Sequence, residues 1–300
     1  VAVLEHDAPY DVDIAKATLE TLMQLCEIPE KVSYAGHEML AAADNQPAKD
    51  DIGLFFTDQL LETPKPIHSL LALLHNSPSF YPRFYTLQFL SQLLTSRPTK
   101  CQSYIMSAPP PGIEGILAVL DPQAAQQQSQ AGQAESRGMG GGATEMLRNE
   151  ALLLCPALLA GNADLQKIVA FSGAFEKLFQ IVNQEGGADG GIVVQDALTA
   201  LGGLLRFNVS NQVSCVTPAR MYRADGQNYF RELSLIPSIP PVLGFPSSLA
   251  PDVLSPDDFA LQYWPEQKIY NAGLVLGLIR MLIGGPGGGN QVRPLERNTV

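Results

Sequence analysis

The chain reads as all-α, a right-handed solenoid of stacked helical repeats, and three observations predict this. Apolar residues recur at helical spacing along most of the sequence, interrupted by proline and glycine stops. The run from Met146 to Leu159 is apolar on nearly every side, the pattern of a helix that neighbours surround. Finally, setting Leu19, Leu87, Leu152 and Leu198 as equivalent points gives separations of 68, 65 and 46 residues. The middle interval contains 22 residues rich in Gln, Gly, Ser and Ala (123–144), and without them it falls to 43. That approaches the roughly 40 to 47 residues of armadillo and HEAT units. Residues 35–50, polar and alanine-rich, are a comparable insertion in the first interval. An irregular all-helical domain would space its helices in the same way, so the period alone leaves both arrangements open.

Taken in order, Val12, Ile14, Ala15, Ala17, Leu19, Leu22, Met23 and Leu25 describe the first helix, ended by Ile28-Pro29. A second spans Ile52 to Leu61 and is broken by Thr63-Pro64-Lys65-Pro66, after which Ile67 to Leu74 forms a short apolar helix closed by Asn76-Ser77-Pro78. Phe84, Leu87, Phe89, Leu90, Leu93 and Leu94 mark the third major helix, with Arg97-Pro98 as its stop. Pro109-Pro110-Pro111-Gly112 is a stiff turn before a helix over Ile113 to Leu120. The low-complexity stretch 123–143 lacks the apolar residues to form a core and is expected to be disordered.

Met146 to Leu159 is then a central helix, with Pro156 removing one hydrogen bond and predicting a bend near Leu152. Gly161 is placed to close it in the left-handed conformation, and Asn162 to cap the next helical run. Ala174 to Val182 sets Ala174, Phe175, Leu178, Phe179, Ile181 and Val182 on one face and Glu176, Lys177 and Gln180 outward. After the turn Gly186 to Gly191, a second central helix places Val193, Val194, Ala197, Leu198, Leu201, Leu204 and Leu205 at helical spacing. The pair Gly202-Gly203 costs that helix about 2 kcal/mol relative to alanine. Close approach of another helix is the expected reason, with a partner's side chain as the alternative. Residues after Phe230 to Leu235 turn proline-rich (Pro237, Pro240, Pro241, Pro246), an extended crossing is expected, and Ile269 to Ile283 is the last helix.

Several stretches together resemble a known family. They are Asp51 to Asp58, Tyr81 to Leu90, Arg148 to Leu154, Gln166 to Phe171, Ala174 to Leu178, Glu185 to Asp196 and Asn271 to Leu282. Their combination is similar to the general vesicular transport factors, the Uso-type Golgi tethers with an armadillo-like globular head and a coiled-coil tail. The resemblance implies a non-enzymatic head fragment, residues 1–300, acting in vesicle tethering for endoplasmic-reticulum-to-Golgi and intra-Golgi transport. It also implies a Rab-family GTPase, SNARE proteins and other Golgi tethers as partners, and a homodimer in the full-length protein. The location implied is cytoplasmic, peripheral on Golgi and transport-vesicle membranes. No sustained heptads occur, so the coiled-coil tail is absent from this sequence, which reads as excised from something longer. Against the family pattern, residues 213–227 are inserted between Ser210-Asn211-Gln212 and Asn228 to Glu232 without helical period. Their termini fit splice consensus codons, and the segment is read as a translated intron, as is the tail 292–300. A different armadillo-type adaptor, for nuclear transport or as a chaperone cofactor, is the rival reading; the single Trp264 argues against an Asn/Trp ladder.

Composition narrows the classes of function. A net charge of −11 with 19 Lys and Arg gives no basic patch interleaved with aromatics, which argues against nucleic acid and against direct attraction to anionic lipid. Membrane association is therefore expected to be indirect. Cys26, Cys101, Cys155 and Cys215 are far apart, without zinc-type pairing, and fit a reducing compartment. In that setting the sequon Asn208-Val209-Ser210 is a chance match. His6, His37, His68 and His75 form no metal set, since His68 and His75 would share a face only if one helix ran through both. The glycine clusters 138–142, 186–191 and 284–289 lack the strand and the Lys-Ser/Thr of a phosphate loop. Asp50, Asp51, Asp257 and Asp258 read as helix starts and solvated faces. Arg83 and Arg148, placed just before central helices, read as structural ion-pair formers. No catalytic, cofactor-binding or metal-ligating residue is assigned, and partner-binding residues are unknown from sequence.

Overall fold

The periodic apolar runs fold as helices. The computed structural model describes residues 2–28, 50–121, 142–208, 211 and 264–283. Among them, regular structure is helical throughout: α1 (Ala2–His6), α2 (Val12–Leu25), α3 (Asp50–Leu60), α4 (Lys65–Asn76), α5 (Phe80–Ser96), α6 (Pro98–Met106), α7 (Ile113–Val119), α8 (Gly142–Leu159), α9 (Ala163–Phe171), α10 (Ala174–Gln184), α11 (Ile192–Leu205) and α12 (Glu266–Ile283), with a 3-10 turn at Gly187–Asp189. The low-complexity stretch up to residue 141, the insertion 213–227, the proline-rich segment, the cluster 284–289 and the tail 292–300 lie outside the described residues. Contacts group the chain into two units, Val1–Ala118 with Arg137–Leu158 and Val119–Ser136 with Leu159–Val300.

In the first unit α2 packs on α5, α4 on α5 and α6, and α1 on α4. Asp11 starts α2, its carboxylate accepting from Asp13 N at 2.9 Å and Ile14 N at 3.0 Å. Leu19, Leu70, Leu74, Leu87, Phe89 and Leu90 are fully buried and form the centre of the unit. Lys16 lies over Tyr81, and Gln92 donates to the Met23 carbonyl at 3.0 Å across a sequence separation of 69. Advancing along α2 therefore advances along α5, so the two run parallel. Parallel neighbours need intervening helices to carry the chain back, which α3 and α4 do. Equivalent helices stacked in parallel with returning helices between them are the topology of a helical repeat.

The second unit shows the same device. Gln195 of α11 meets Gln267 of α12 at 3.0 Å, and further along Gly202 faces Leu278 and Met281. A Cβ at Gly202 would sit 3.8 Å from both side chains, and one at Gly203 would sit 3.4 Å from Leu159. Neighbouring helices lie against the pair, with α12 in the place considered for a partner's side chain, but at ordinary van der Waals separation, so close approach does not by itself require glycine at 202. All six residues foreseen on the inner face of Ala174 to Val182 are buried. Gly161 adopts φ 68°, and Asn162 accepts from Leu165 N at 3.0 Å.

Three boundaries differ from the sequence reading. Pro98 does not only end α5; it opens α6 at the first helical position, where its missing N–H costs nothing. Lys65-Pro66, read as part of a break, is the first turn of α4 for the same reason. Arg83 and Arg148 lie inside α5 and α8 rather than before them, both half-buried, and burial holds the Arg83 guanidinium pKa below its usual value.

Helix ends in both units are tied by side-chain amides reaching across elements. Gln102 of α6 donates to the Leu158 carbonyl at 3.0 Å. Gln166 of α9 donates to the carbonyls of Leu159, Gly203 and Arg206 at 3.0, 2.9 and 3.2 Å. Asn208 donates to Ala163 O at 2.9 Å, and Asn211 to Leu204 O at 2.8 Å. Except for Ala163 O, which lies in the first turn of α9, each acceptor is a carbonyl that the last turn of a helix, or its flank, would leave without a donor. Each such bond contributes about 1 kcal/mol net, and more is lost if the carbonyl is left buried and unpaired.

Candidate interaction surface

α2 and α5 run side by side in parallel, Glu150 of α8 reaches α5, and polar and aromatic side chains join the three helices. Residues 81, 85, 88 and 92 of α5 recur at helical spacing and form one stripe. Tyr81, 46% exposed, lies under the Lys16 ammonium at 5.2 Å from its ring centre. Tyr85 is hydrogen-bonded to Glu20, which holds the phenol's pKa above its usual value. Gln88 is hydrogen-bonded to Glu150 of α8; partial burial nevertheless raises that carboxyl's pKa above its usual value. The result is a ladder, Lys16–Tyr81, Glu20–Tyr85 and Glu150–Gln88, that links α2, α5 and α8 within the first unit. Such a face can bind an elongated partner by hydrogen bonding and aromatic contact.

Nothing resembling a reaction centre converges among the described residues. His68 and His75 do share α4, which runs through both, but His68 Nε2 lies 3.1 Å from the Tyr104 carbonyl and His75 is exposed. His37 lies outside the described residues. No group of His, Cys, Asp and Glu among those described could hold a metal ion. Cys26, Cys101 and Cys155 are buried free thiols, and burial pushes Cys101 and Cys155 up to about 12, far from the thiolate form. A groove of about 390 Å³ between α1 and α4 is lined by Leu4, Glu5, Lys65, His68, Ser69 and Leu73 among others, and its Ser69 hydroxyl donates to the Lys65 carbonyl at 3.0 Å. No helix among the described residues is long and apolar enough to cross a membrane.

The Gly186–Gly191 turn is a structural joint. Asn271 of α12 donates to Gly190 O at 2.8 Å and Ala188 O at 3.2 Å, and Lys268 pairs with Asp189 at 2.7 Å while lying over the Trp264 ring. The carbonyls face a donor from α12, so the turn does not present the backbone cradle of a phosphate loop. Asn208 of the sequon is 1% exposed and its amide is engaged by Ala163 O, which leaves it inaccessible to a glycosyl donor. Sequence reasoning gave no ladder residue and none of the amide ties; the signal available for the ladder was the stripe Tyr81, Tyr85, Gln88 and Gln92 at helical spacing beside the buried Leu87, Leu90, Leu93 and Leu94.

These features define an all-α, armadillo-like helical-repeat protein whose patterned faces, rather than a pocket, carry the recognisable chemistry. The comparisons narrow the class further. The human general vesicular transport factor p115 is 31% identical over 236 residues, covering 78% of this chain and 19% of that protein. The intracellular protein transport protein USO1 of Saccharomyces cerevisiae is 28% identical over 234 residues, covering 78% of this chain and 10% of its own length. A solved structure of Uso1 superposes with a TM-score of 0.66 at 26% identity, covering 95% of this chain and 38% of that one. The chain is a homologue of the Uso1/p115 general vesicular transport factors. No protein-family model matches it. It spans about a tenth to a fifth of the length of these curated relatives.

Proposed function

We propose that this chain is part of the globular head of a vesicle-tethering factor, a protein-binding scaffold in transport from the endoplasmic reticulum to the Golgi and within the Golgi. The observation that carries the proposal is the likeness to the vesicular transport factors over 78% of the chain. That likeness favours the tethering reading over an adaptor for nuclear transport or chaperones. The joined residues of α2, α5 and α8 are consistent with it, because they offer an open polar and aromatic face rather than an enclosed site. A Rab-family GTPase, SNARE proteins and other Golgi tethers are the partners this reading implies. Membrane association would run through them, at the cytoplasmic side of Golgi and vesicle membranes, and homodimerisation through a coiled coil of the longer protein. The net charge of −11 supports indirect attachment, since an acidic surface is repelled by anionic lipid.

The test is a pull-down of the chain, with and without residues 213–227, against early-secretory Rab GTPases in both nucleotide states. Capture that favours the GTP form supports a tethering contact within these helices. Failure of both versions to bind, with helical circular dichroism intact, removes the Rab contact from this part of the head.

A further inference from the structure

Charge is spread unevenly around the helices of the first unit. On α2, Asp13, Lys16 and Glu20 share one side, and on α8 Glu150 stands between Met146 and Leu153, which are 44% and 54% exposed and within about 60° of it around the helix. The other cations of these helices lie elsewhere. Arg83 and Arg148 are each two residues from Tyr85 and Glu150, which turns them about 160° away, and both are half-buried. Among the charged residues of α2, α5 and α8, the side that carries the ladder therefore sets Asp13, Glu20 and Glu150 against Lys16 alone.

Lys16 shows how a cation sits here. Its ammonium lies 5.2 Å from the centre of the Tyr81 ring and 4.0 Å from the Glu20 carboxylate. One turn further along α5, Tyr85 is hydrogen-bonded to Glu20, and Gln88 beyond it to Glu150, so a ring again stands beside carboxylates, with Lys16 already placed on the preceding rung. Burial raises the Glu150 carboxyl pKa, and only the Gln88 amide opposes the shift, with no basic side chain adding to it. A cation delivered at this rung gains a ring face and a carboxylate already stripped of part of its water. The stripe from Tyr81 to Gln92 is about 17 Å long, a distance that about five residues of extended chain span.

We propose that the ladder of α2, α5 and α8 binds a protein segment bearing arginine or lysine, with the cation between Tyr85 and Glu150 and the segment's neighbouring apolar side chains against Met146 and Leu153. This rests on reading the face as a protein-binding one, and it adds the charge of the partner. The face lies along the sides of the three helices rather than at either end of the chain.

Random peptides of about nine residues, displayed on phage and panned against the 300-residue chain, test this. Affinities of the enriched peptides are then measured by fluorescence anisotropy, with circular dichroism confirming each variant's helix content. Enriched peptides are expected to carry Arg or Lys beside an apolar residue and to weaken as salt is raised. Glu150→Gln should weaken them about tenfold and Tyr85→Ala about threefold. Lys16→Gln should tighten them about twofold, because it removes a like charge from the rung before; loss of structure would not move affinity in that direction. No enrichment overturns the proposal, as do enriched peptides without a basic residue, or a Lys16→Gln variant that binds more weakly. Basic peptides that bind Glu150→Gln as well as the parent also overturn it, since general attraction to a chain of net charge −11 would act in that way. Leu153→Cys must react with a maleimide as an exposed thiol does; if it resists, another segment of this chain covers the face and the proposal fails. The panning contains no Rab GTPase, so the two readings fail separately. Rab capture without basic peptides overturns this inference alone, and basic peptides without Rab capture leave it standing.

Discussion

Replacing Asn271 with aspartate tests whether the glycine turn holds α12 in place. The substitution keeps side-chain size but removes both Nδ2 donors from a residue that is 0% exposed. In the protein those donors serve Gly190 O at 2.8 Å and Ala188 O at 3.2 Å, while Oδ1 accepts from Gln267 at 3.1 Å. A protonated carboxyl at this position could still donate one bond, so the loss at low pH is about 1 kcal/mol. An ionised one sets a carboxylate against two carbonyl oxygens in a dry site, and the loss rises to about 3 kcal/mol or more. Burial and the facing carbonyls both raise the folded-state pKa above the usual value of about 3.9. The folded state then binds more protons than the unfolded one between the two values, so the variant's stability falls as pH rises through that window. Hydrogen exchange of the α12 amides, converted to protection free energies at acid and neutral pH, reads this directly. At neutral pH, α12 protection should drop about a hundredfold while α4 stays unchanged. A loss under threefold, a loss shared equally by α4, or one with no pH dependence would refute the argument.

Two glycines should respond in opposite directions to alanine. At Gly53 the added Cβ would overlap the Glu27 carbonyl oxygen and stand 2.9 Å from its carbon, so Gly53→Ala must push α3 away from α2 and lower the urea midpoint despite better helix propensity. At Gly202 the nearest atoms are side-chain tips at 3.8 Å, so Gly202→Ala should stabilise by about 0.5 to 1 kcal/mol and raise the midpoint. Equal shifts in the same direction would contradict the packing described. On the ladder, burial raises the Glu150 carboxyl pKa, so its charge weighs against folding as pH rises through the titration. Glu150→Gln keeps a hydrogen-bonding group for Gln88 and should flatten the stability profile between acid and neutral pH, measured by thermal unfolding against the parent chain. An unchanged slope would mean that Glu150 is solvated.

Much of the fold could be read from sequence because burial left a local imprint. The inner face of α10 follows one helical stripe, and its six residues are the six that are buried. Gly161-Asn162 carries its conformation and its cap in two residues. α6 escaped because it lacks such a stripe: Cys101, Gln102 and Ile105 are its buried residues, and Pro98 reads equally as a stop or a first position. The amide ties escaped for a different reason. Gln166 meets carbonyls 37 and 40 residues away and Asn271 meets one 83 away, so no short window contains both partners. In sequence, a buried glutamine on an otherwise apolar helix looks like a surface residue.

The same ties explain how helices of equivalent role can stay in register despite very unequal connections. Gln92 reaches Met23 across 69 residues, and Gln195 reaches Gln267 across 72, yet both bonds are 3.0 Å long. What fixes each pair is a side-chain amide and the apolar face beneath it, not the segment that joins them. Closing a longer connection costs only about 0.6 kcal/mol per doubling of its length. One buried amide bond and a few packed leucines exceed that cost. Insertions between helices can therefore lengthen the chain while the ladder on α2, α5 and α8 keeps its spacing, whereas a single residue added within α5 would rotate Tyr81 and Tyr85 by about 100° relative to Gln88 and Gln92. Constraint on this chain lies in the helices that present the surface, and freedom lies in what connects them.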